Sequence, residues 1–172
     1  MNDLVDDLQK EWADQRPDLD CSSLGVVVRV QLLAKLANEN AEQALERFSL
    51  KLWEYDVLSA LRRQGKPYEL LGSELARASM LTSGTVTTRI DGLERRKLVR
   101  RRRDARDRRI VRISLTSRGL TTIDGAIEAR IASADEQLRV LSSKERKSLT
   151  STLRKVLHTA ALRNEEAAEY IG

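Results

Sequence analysis

The sequence predicts a mainly α-helical fold with one small β-hairpin, and three observations lead to this prediction. The 172-residue chain contains two prolines and only 3% aromatic residues, and a third of its residues are charged. That balance favours helices over sheets. Apolar residues recur at helical spacing through most of the chain and alternate with polar ones only after residue 98. The length suits a single core with added helices and is too short for two independent enzyme domains.

Two helices are predicted before residue 50. In residues 3–14, Leu4, Leu8 and Trp12 follow at intervals of four, and a proline ends the helix. Residues 24–48 keep an apolar stripe that is longer than a small domain needs for its own core. Its apolar positions are Val26, Val30, Leu33, Ala37, Ala41, Leu45 and Phe48. Part of this helix is therefore free to pack against another subunit.

The next three predicted helices include a helix-turn-helix. The first covers residues 52–64. A short helix over 72–78 and a longer one over 83–97 are joined by a three-residue turn, and Thr82 is placed to cap the longer helix. The residues expected to face inward are Trp53, Val57, Leu58, Leu61, Leu75, Ala76, Val86, Ile90 and Leu93.

A β-hairpin is predicted after the helix-turn-helix. Four consecutive arginines, 100–103, lead into a polar tip at 104–108, and apolar residues then alternate with polar ones as far as Leu115. A hairpin that follows a helix-turn-helix in this way forms a wing.

Two long helices close the chain, over residues 117–141 and 143–164. Ser142 and Glu145 have the spacing of a capping box at the start of the second helix. The predicted organisation is N-terminal helices over 1–48, a winged helix-turn-helix domain over 49–116, and a helical dimerisation region over 117–172.

The second helix of the helix-turn-helix has the two faces that a DNA-reading helix needs, one apolar and one made of small polar residues. Small hydroxyl side chains allow close approach to DNA and bond phosphates or base edges. Arginines at the tip of the wing can enter the adjacent minor groove. The candidate DNA contacts are Ser83, Thr85, Thr87 and Thr88 in the helix and Arg106 and Arg108 in the wing.

Positive charge is concentrated in residues 89–112, which we call the basic segment. It holds twelve arginines and lysines against four acidic residues, a net charge of +8, whereas the whole chain carries +5. The rest of the chain is therefore mildly acidic. An arginine run by itself is usually only a solvated surface, but directly after a helix-turn-helix it favours binding to the phosphate backbone.

Residues 50–119 closely resemble the MarR family of transcription regulators, through SELARASMLTSGTVTTRIDGLERRKLVRRRRDARDRRIVRISLTSRG. The most specific part is the DRR at 107–109, followed by an apolar strand and LTSRG. The resemblance implies a homodimer, built by the terminal helices, whose paired winged domains bind a pseudo-palindromic operator in double-stranded DNA. The apolar stripes of the long helices suit such an interface.

A narrower resemblance covers nearly the whole chain and is to the PecS and urate-responsive branch of that family. It is carried by EWADQRPDLD, LWEYDVLSALRRQGKPYEL and TTRIDGLERRKLVRR. The resemblance implies an added N-terminal helix and a site for a small anionic aromatic or purine-type ligand such as urate. By motif, the ligand-binding residues fall on Trp12, Asp56, Arg89 and one of the arginines 100–103, of which Arg101 is the leading candidate.

The chemistry of these four residues suits such a ligand. An aromatic face stacks on a planar ring, and guanidinium groups pair with an anionic oxygen in fixed geometry. Because Arg89 lies in the reading helix and Arg101 in the wing, a ligand that attracts them would lower operator affinity and relieve repression. On pattern alone, Trp12 is a packing residue, Asp56 a surface acid, and both arginines phosphate contacts. The sequence departs from its relatives at Thr88, where asparagine is common, and in a wing without their usual prolines.

Two alternatives stay open. Cys21 would make the chain an oxidant-sensing regulator of the same family, although Asp18 and Asp20 nearby oppose formation of its thiolate. A non-specific nucleic-acid-binding protein would need only the arginine cluster.

Neither an enzyme, a metal site nor a membrane protein is predicted. Cys21 and His158 are the chain's single cysteine and single histidine, too few for a disulfide or a structural zinc site. No nucleophile motif or glycine-rich phosphate loop is present. No apolar run is long enough to span a bilayer, and the N-terminus is acidic where a secretory signal is basic. We expect a cytoplasmic protein without a cofactor.

Overall fold

A computed structural model describes residues 2–79, 83–103 and 110–161, and for residues 83–88 it describes the backbone only. The elements in this part of the chain are α1 (Leu4–Gln15), α2 (Ser22–Glu46), α3 (Leu52–Arg63), β1 (Glu69–Leu71), α4 (Gly72–Ala78), α5 (Ser83–Arg95), β2 (Val99–Arg103), β3 (Val111–Leu115), α6 (Ser117–Gln137) and α7 (Ser143–Ala161). The mainly helical fold with a small sheet is confirmed. The chain divides into two units, residues 1–41 and residues 42–172. None of the described helices is both long and apolar enough to cross a membrane.

In the first unit, one arginine joins α1 to α2. The Asp3 carboxylate caps α1 by accepting hydrogen bonds from the backbone N–H groups of Val5 (2.8 Å) and Asp6 (3.2 Å). Arg29 of α2 donates from Nε to Asp3 (2.8 Å) and from Nη2 to Asp6 (2.6 Å). The hydrogen bond from Arg29 holds the pKa of Asp3 below its ordinary value. The start of α1 is therefore capped by Asp3 and fixed to α2 by the charge of Arg29.

The predicted apolar stripe of α2 divides into an exposed and a buried part. Val26 and Leu33 are 62% and 64% exposed, whereas Ala41 and Leu45 are fully buried. The N-terminal half of the helix thus presents apolar side chains to solvent, as expected for a helix longer than its own core needs.

One hydrophobic core organises the second unit. Its largest fully buried side chains are Leu45, Val57, Leu58, Leu61, Leu75, Ile90, Leu93, Leu98, Val99 and Ile123. Most residues predicted to face inward from α3, α4 and α5 belong to it. Trp53 is only partly buried against this core, and the side chain of Val86 lies outside the described residues.

The sheet has three antiparallel strands in the order β1-β3-β2. Ile113 in the central strand pairs with Leu70 of β1 on one side and with Arg101 of β2 on the other. The sequence predicted only the hairpin strands, because three residues are too few to display a period of two. The hairpin tip at 104–108 lies outside the described residues.

Three predicted helix ends were wrong. The helix predicted to reach residue 48 ends at Glu46. The helix predicted to reach residue 97 ends at Arg95, because Lys97 adopts a left-handed conformation with φ of +58°. The Leu98 N–H then bonds to the Leu93 carbonyl (3.0 Å), which ends the helix in the usual way. The helix predicted to reach 141 ends at Gln137.

The predicted capping box before α7 is confirmed. The backbone N–H of Ser142 donates to Glu145 Oε2 (2.8 Å), and the N–H of Glu145 donates to Ser142 Oγ (3.3 Å). The predicted end of this helix at residue 164 lies outside the described residues.

The start of α6 is packed against the turn that precedes the wing. Thr116 caps the helix by accepting a hydrogen bond from the Gly119 N–H (2.9 Å) and donates its own hydroxyl proton to the Lys97 carbonyl (2.6 Å). A Cβ atom at Gly119 would overlap the carbonyl group of Leu98. Only glycine therefore fits at this position without moving the backbone.

We predict that Gly119→Ala lowers the free energy of unfolding by roughly 1–3 kcal/mol, because the added methyl group forces α6 away from the wing. Urea denaturation followed by circular dichroism measures the change. Gly92→Ala is the matched control: its Cβ would meet no atom within 4 Å, so this helical substitution should be neutral or stabilising. Equal stability of the two variants would contradict the proposed close approach.

Candidate functional site

The helix-turn-helix is formed by α4 and α5. Leu75 of α4 and both Ile90 and Leu93 of α5 are fully buried in the same core, so the two helices are fixed against each other. The turn residues 80–82, including the predicted cap Thr82, lie outside the described part of the chain.

The predicted DNA contacts stay predictions. The backbone of Ser83, Thr85, Thr87 and Thr88 lies in the first half of α5, but their side chains are outside the described residues, as are Arg106 and Arg108 entirely. Position 87 lies one helical turn before Asp91, which is exposed, and two turns before Arg95, which is also exposed. Asp91 and Arg95 therefore mark a solvent-exposed row on α5.

A buried ion pair ties the end of α5 to α3. The Glu54 side chain is only 7% exposed, and its Oε1 accepts a hydrogen bond from Arg96 Nη1 at 2.7 Å. Its Oε2 accepts from the Lys51 N–H at 2.9 Å, and Arg96 Nη2 also donates to the Ser49 carbonyl at 2.8 Å. Both oxygens of this carboxylate are thus satisfied, as a buried charge requires.

A second arginine joins the wing to α5. Arg101 of β2 forms ion pairs with Asp91 and with Glu94 of α5, and its backbone N–H donates to Glu94 Oε1 at 3.0 Å. The reading helix and the wing are therefore linked by charge as well as by their shared core.

Other arginines of the basic segment also have partners inside the protein. Arg102 and Arg112 both approach Glu69 of β1, at 3.4 and 3.6 Å. Arg100 Nε donates to Ser114 Oγ at 3.1 Å. Counting charges along the sequence therefore overstates the charge that is available for phosphate groups.

Arg89 lies over an aromatic ring. Its Cζ atom is 4.9 Å from the centroid of Trp53, which is a cation–π arrangement. Its Nη1 atom is buried and has no hydrogen-bond partner among the residues that the structure describes. Both residues line a cleft of about 470 Å³, which we call the α3–α5 cleft. Its described lining residues are Trp53, Glu54, Arg89, Gly92, Arg95 and Arg96.

Asp56 lines a different cleft, of about 640 Å³, which we call the α3 cleft. Its described lining residues are Glu42, Glu46, Leu50, Lys51, Leu52, Trp53 and Asp56. Burial raises the pKa of Asp56, and the positive charges of Arg130 and Arg63 offset only part of that rise. The Asp56 carboxyl therefore ionises less readily than that of an ordinary aspartate.

The four predicted ligand-binding residues are distributed as follows. Trp12 is 45% exposed and lies in the unit of residues 1–41, whereas the other three lie in the unit of residues 42–172. Arg89 and Asp56 line the two different clefts, which share Trp53. Arg101 is not among the described lining residues of either cleft. Their grouping into one site stays a prediction.

Sequence reasoning did not place Trp53 at these clefts, because its place in the apolar stripe of α3 made it look like a core residue. A signal was nonetheless present. Trp53 precedes Asp56 by three positions, so the two residues lie on neighbouring parts of one helix face.

The thiol of Cys21 is partly buried and 4.0 Å from the Leu19 carbonyl oxygen. Asp18 is paired with Arg16, and Asp20 accepts a hydrogen bond from the Ser22 N–H. Among the residues that the structure describes, no group of three or more His, Cys, Asp or Glu side chains could hold a metal ion.

Comparisons with known proteins agree on one family. Residues 48–110 match the model of the MarR family. The chain is 31% identical to the HTH-type transcriptional regulator PecS of Dickeya dadantii (strain 3937) over 152 residues, which covers 88% of this chain and 92% of PecS.

Solved structures show the same fold. The S. aureus MepR–DNA complex superposes with a TM-score of 0.70 at 25% identity and covers 77% of this chain and 96% of MepR. The organohalide-sensing regulator RdhR-CbdbA1625, in its 2,4-dichlorophenol-bound form, has a TM-score of 0.74 at 21% identity and covers 87% of each chain. The relatives are transcription regulators, not enzymes.

We predict that Arg96→Met lowers the free energy of unfolding by roughly 1–3 kcal/mol, because it leaves the Glu54 carboxylate buried and without its charged partner. The double variant Glu54→Gln/Arg96→Met should recover part of the loss. Arg139→Met is the control, because its pair with Glu136 is exposed on both sides and should contribute almost nothing. A loss no larger than that of the control, measured in urea, would contradict a buried pair.

We predict that Asp56→Asn raises the melting temperature at pH 7 by about 1–3 °C, because ionised Asp56 is unfavourable in the folded state. The folded pKa is raised, so the cost applies above that pKa and vanishes as the pH falls through it. The gain should therefore be absent in acid, where Asp56 is protonated in both states. Asp18→Asn is the control, because pairing with Arg16 lowers the pKa of Asp18, and it should give no rise at either pH.

Proposed function

The chain belongs to the MarR family of DNA-binding transcription regulators, and from this premise we propose that it is a repressor that binds a pseudo-palindromic operator as a homodimer. A small anionic aromatic or purine-type ligand, with urate as the first candidate, lowers its affinity for that operator. The observation that carries the proposal is the position of Arg89 and Arg101. They lie on α5 and β2, the reading helix and the wing strand.

In this proposal α5 enters the major groove and the wing contacts the minor groove. Ser83, Thr85, Thr87 and Thr88 contact phosphates or base edges, and Arg106 and Arg108 insert at the tip of the wing. The burial of Ile90 and Leu93 supports this assignment, because it fixes which face of α5 is turned toward the core.

The homodimer is supported by apolar side chains that a monomer leaves in water. Val156 and Leu157 of α7 are 60% and 56% exposed, and Leu149 and Leu153 precede them at helical spacing with at least 40% exposure. A second copy of the chain covers this stripe and sets the spacing of the two half-sites at about one turn of DNA.

The effector site in this proposal uses Trp12, Asp56, Arg89 and Arg101. RdhR-CbdbA1625 provides a precedent for an aromatic ligand on this fold, since it has been described with 2,4-dichlorophenol bound. An anion that draws Arg101 away from Asp91 and Glu94 loosens the link between the wing and α5. The ligand then favours a state with weaker operator binding, in proportion to its preference for that state.

We predict specific binding to the DNA upstream of the protein's own gene. Fluorescence anisotropy should show at least about a thousandfold preference over random DNA at physiological salt. Arg106→Ala and Arg108→Ala should each weaken operator binding by roughly tenfold or more. Lys144→Ala, at the exposed start of α7, is the control and should have little effect. Equal affinity for operator and random DNA across salt concentrations would instead support a non-specific nucleic-acid binder.

We predict that urate releases the wild-type protein from this DNA in a gel-shift titration, and that Asp56→Ala requires about tenfold more urate. Glu128→Ala, an exposed acid of α6, serves as the control and should respond like the wild type. If millimolar urate left the wild-type complex intact, the urate-type response would be abandoned while DNA binding stood.

A further inference from the structure

Residues 96–98, which we call the corner, connect the reading helix α5 to the wing strand β2. The chain turns there because Lys97 has a φ of +58°, and the Leu98 N–H bonds back to the Leu93 carbonyl at 3.0 Å. Groups from other elements hold the corner in place. Its position therefore determines where the reading helix ends and where the wing begins.

The first contact joins the corner to the end of α2. Arg96 donates from Nη2 to the Ser49 carbonyl at 2.8 Å and from Nη1 to the buried Glu54 carboxylate at 2.7 Å. Ser49 lies in the turn that ends α2, where its φ is +53° and its N–H bonds to the Glu46 carbonyl at 2.8 Å. A planar guanidinium with several fixed donors serves both acceptors at once. Arg96 therefore ties the corner to α2 as well as to α3.

The second contact joins the corner to the start of α6. The N–H of Thr116, the cap of α6, donates to the Leu98 carbonyl at 3.1 Å, and its hydroxyl donates to the Lys97 carbonyl at 2.6 Å. Gly119, in the first turn of α6, packs so closely on Leu98 that a Cβ atom there would overlap the Leu98 carbonyl. The corner and the first turn of α6 therefore move together.

The third contact joins the end of α2 to α6. Phe48 precedes Ser49 and is partly buried, and a Cβ atom at Gly125 of α6 would lie only 2.8 Å from the Phe48 Cε1 atom. The end of α2, the first half of α6 and the corner are therefore each in contact with the other two. Three mutual contacts fix the orientation of each element, whereas a single contact leaves a hinge.

We propose that these contacts form a joint that sets the orientation of the reading helix within the dimer, and that Arg96 is the positioning residue through which the joint selects the half-site spacing of the operator. The joint consists of residues 48–49, the corner, and Thr116, Gly119 and Gly125 of α6. From the joint, α6 leads to α7, whose exposed apolar stripe faces the second copy in the proposed homodimer. The inference rests on the proposed operator binding and adds spacing to the features that the protein recognises.

The geometry of DNA explains why the joint affects spacing. A dimer reads two half-sites at once only when its two reading helices have the separation and the rotation that the DNA imposes. One additional base pair between the half-sites moves the second one by roughly 3.4 Å and rotates it by roughly 35°. A rigid joint does not follow this change, whereas a joint without Arg96 allows α5 to rotate. Arg96 therefore acts on recognition through the position of α5 and needs no contact with DNA.

The first test compares operators that differ only in the spacing of their half-sites. The wild-type protein should bind the natural spacing at least about tenfold more tightly than operators with one central base pair inserted or deleted. Glu54→Gln/Arg96→Met, which removes the buried charge together with its partner, should discriminate by about threefold or less. Its preference for the natural half-site sequence over a scrambled one should stay close to that of the wild type, because the residues proposed to contact bases are unchanged.

Arg62→Met is the matched control for the loss of a positive charge and of an ion pair. The described partners of Arg62, Asp124 at 2.6 Å and the ring of Tyr68, lie outside the joint. This variant should therefore keep the spacing preference of the wild type. Circular dichroism establishes that each variant is folded at the temperature of the binding assay.

Arg96→Lys separates positioning from stability. It keeps a positive charge beside Glu54, but a single ammonium group does not span both the Glu54 carboxylate and the Ser49 carbonyl as the guanidinium does. The variant should therefore stay folded and lose most of the spacing preference.

The second test measures the reading helices without DNA. Because Cys21 is the chain's only cysteine, Cys21→Ser/Arg95→Cys carries one spin label per protomer, at the exposed end of α5. Pulsed electron–electron double resonance should give a narrow distribution of distances between the two labels. Adding Glu54→Gln/Arg96→Met should broaden this distribution, whereas adding Arg62→Met should not.

The outcomes distinguish this inference from the proposed function. Wild-type spacing discrimination in Glu54→Gln/Arg96→Met overturns the inference, and so does an unbroadened distance distribution. A wild-type protein that binds all three spacings equally, yet prefers operator over random DNA, overturns the inference and leaves the proposed function intact. Equal affinity for operator and random DNA contradicts the proposed function, and the label distances then decide on the joint. If the double variant does not fold, Arg96→Lys decides both tests, because wild-type behaviour in it contradicts the inference.

Discussion

The buried carboxylate of Glu54 is the constraint on which the DNA-binding domain depends. A charge in this position must be neutralised and hydrogen-bonded, and Arg96 satisfies it from the end of α5. The same guanidinium also reaches the Ser49 carbonyl, so the segment before α3 and the segment after α5 are held together. The chain then turns at Lys97 and enters β2, which places the wing relative to the reading helix.

The arginines of the basic segment fall into two groups: some pair with groups inside the protein, and others are exposed. Arg96 joins α5 to α3, and Arg101 joins α5 to β2. Arg102 of β2 and Arg112 of β3 both approach Glu69 of β1. Others, such as Arg95 and Arg103, are exposed. The acids that pair with the internal arginines lower the charge that DNA meets, so the segment combines a structural frame with a smaller electrostatic surface than its composition suggests.

This arrangement gives a physical basis for the proposed regulation. The reading helix is held through side chains at several points, and one of them, Arg89 on Trp53, has a donor without an acceptor among the residues that the structure describes. In the proposed mechanism, an anionic effector contacts Arg89 and Arg101 and changes how α5 is held. A ligand can shift the equilibrium only by its difference in affinity for the two states.

The sequence by itself determined the elements that local patterns encode. Helical spacing located the seven helices of the described chain, alternation located the hairpin strands, and the spacing of Ser142 and Glu145 located a cap. The end of α5 at Arg95 and the strand β1 were beyond it, because a left-handed residue or a three-residue strand leaves no periodic signal.

Only the tertiary structure decided the partners of the charged and aromatic side chains. In the sequence, Glu54 looks like an ordinary helix acid. In the structure it is buried and paired with Arg96, 42 positions later. In the sequence, Trp53 looks like a core residue. In the structure, the guanidinium of Arg89 lies over its ring. Periodicity shows which face of a helix is apolar. The partners of long charged and aromatic side chains are distant in sequence, so they are determined by how the helices pack.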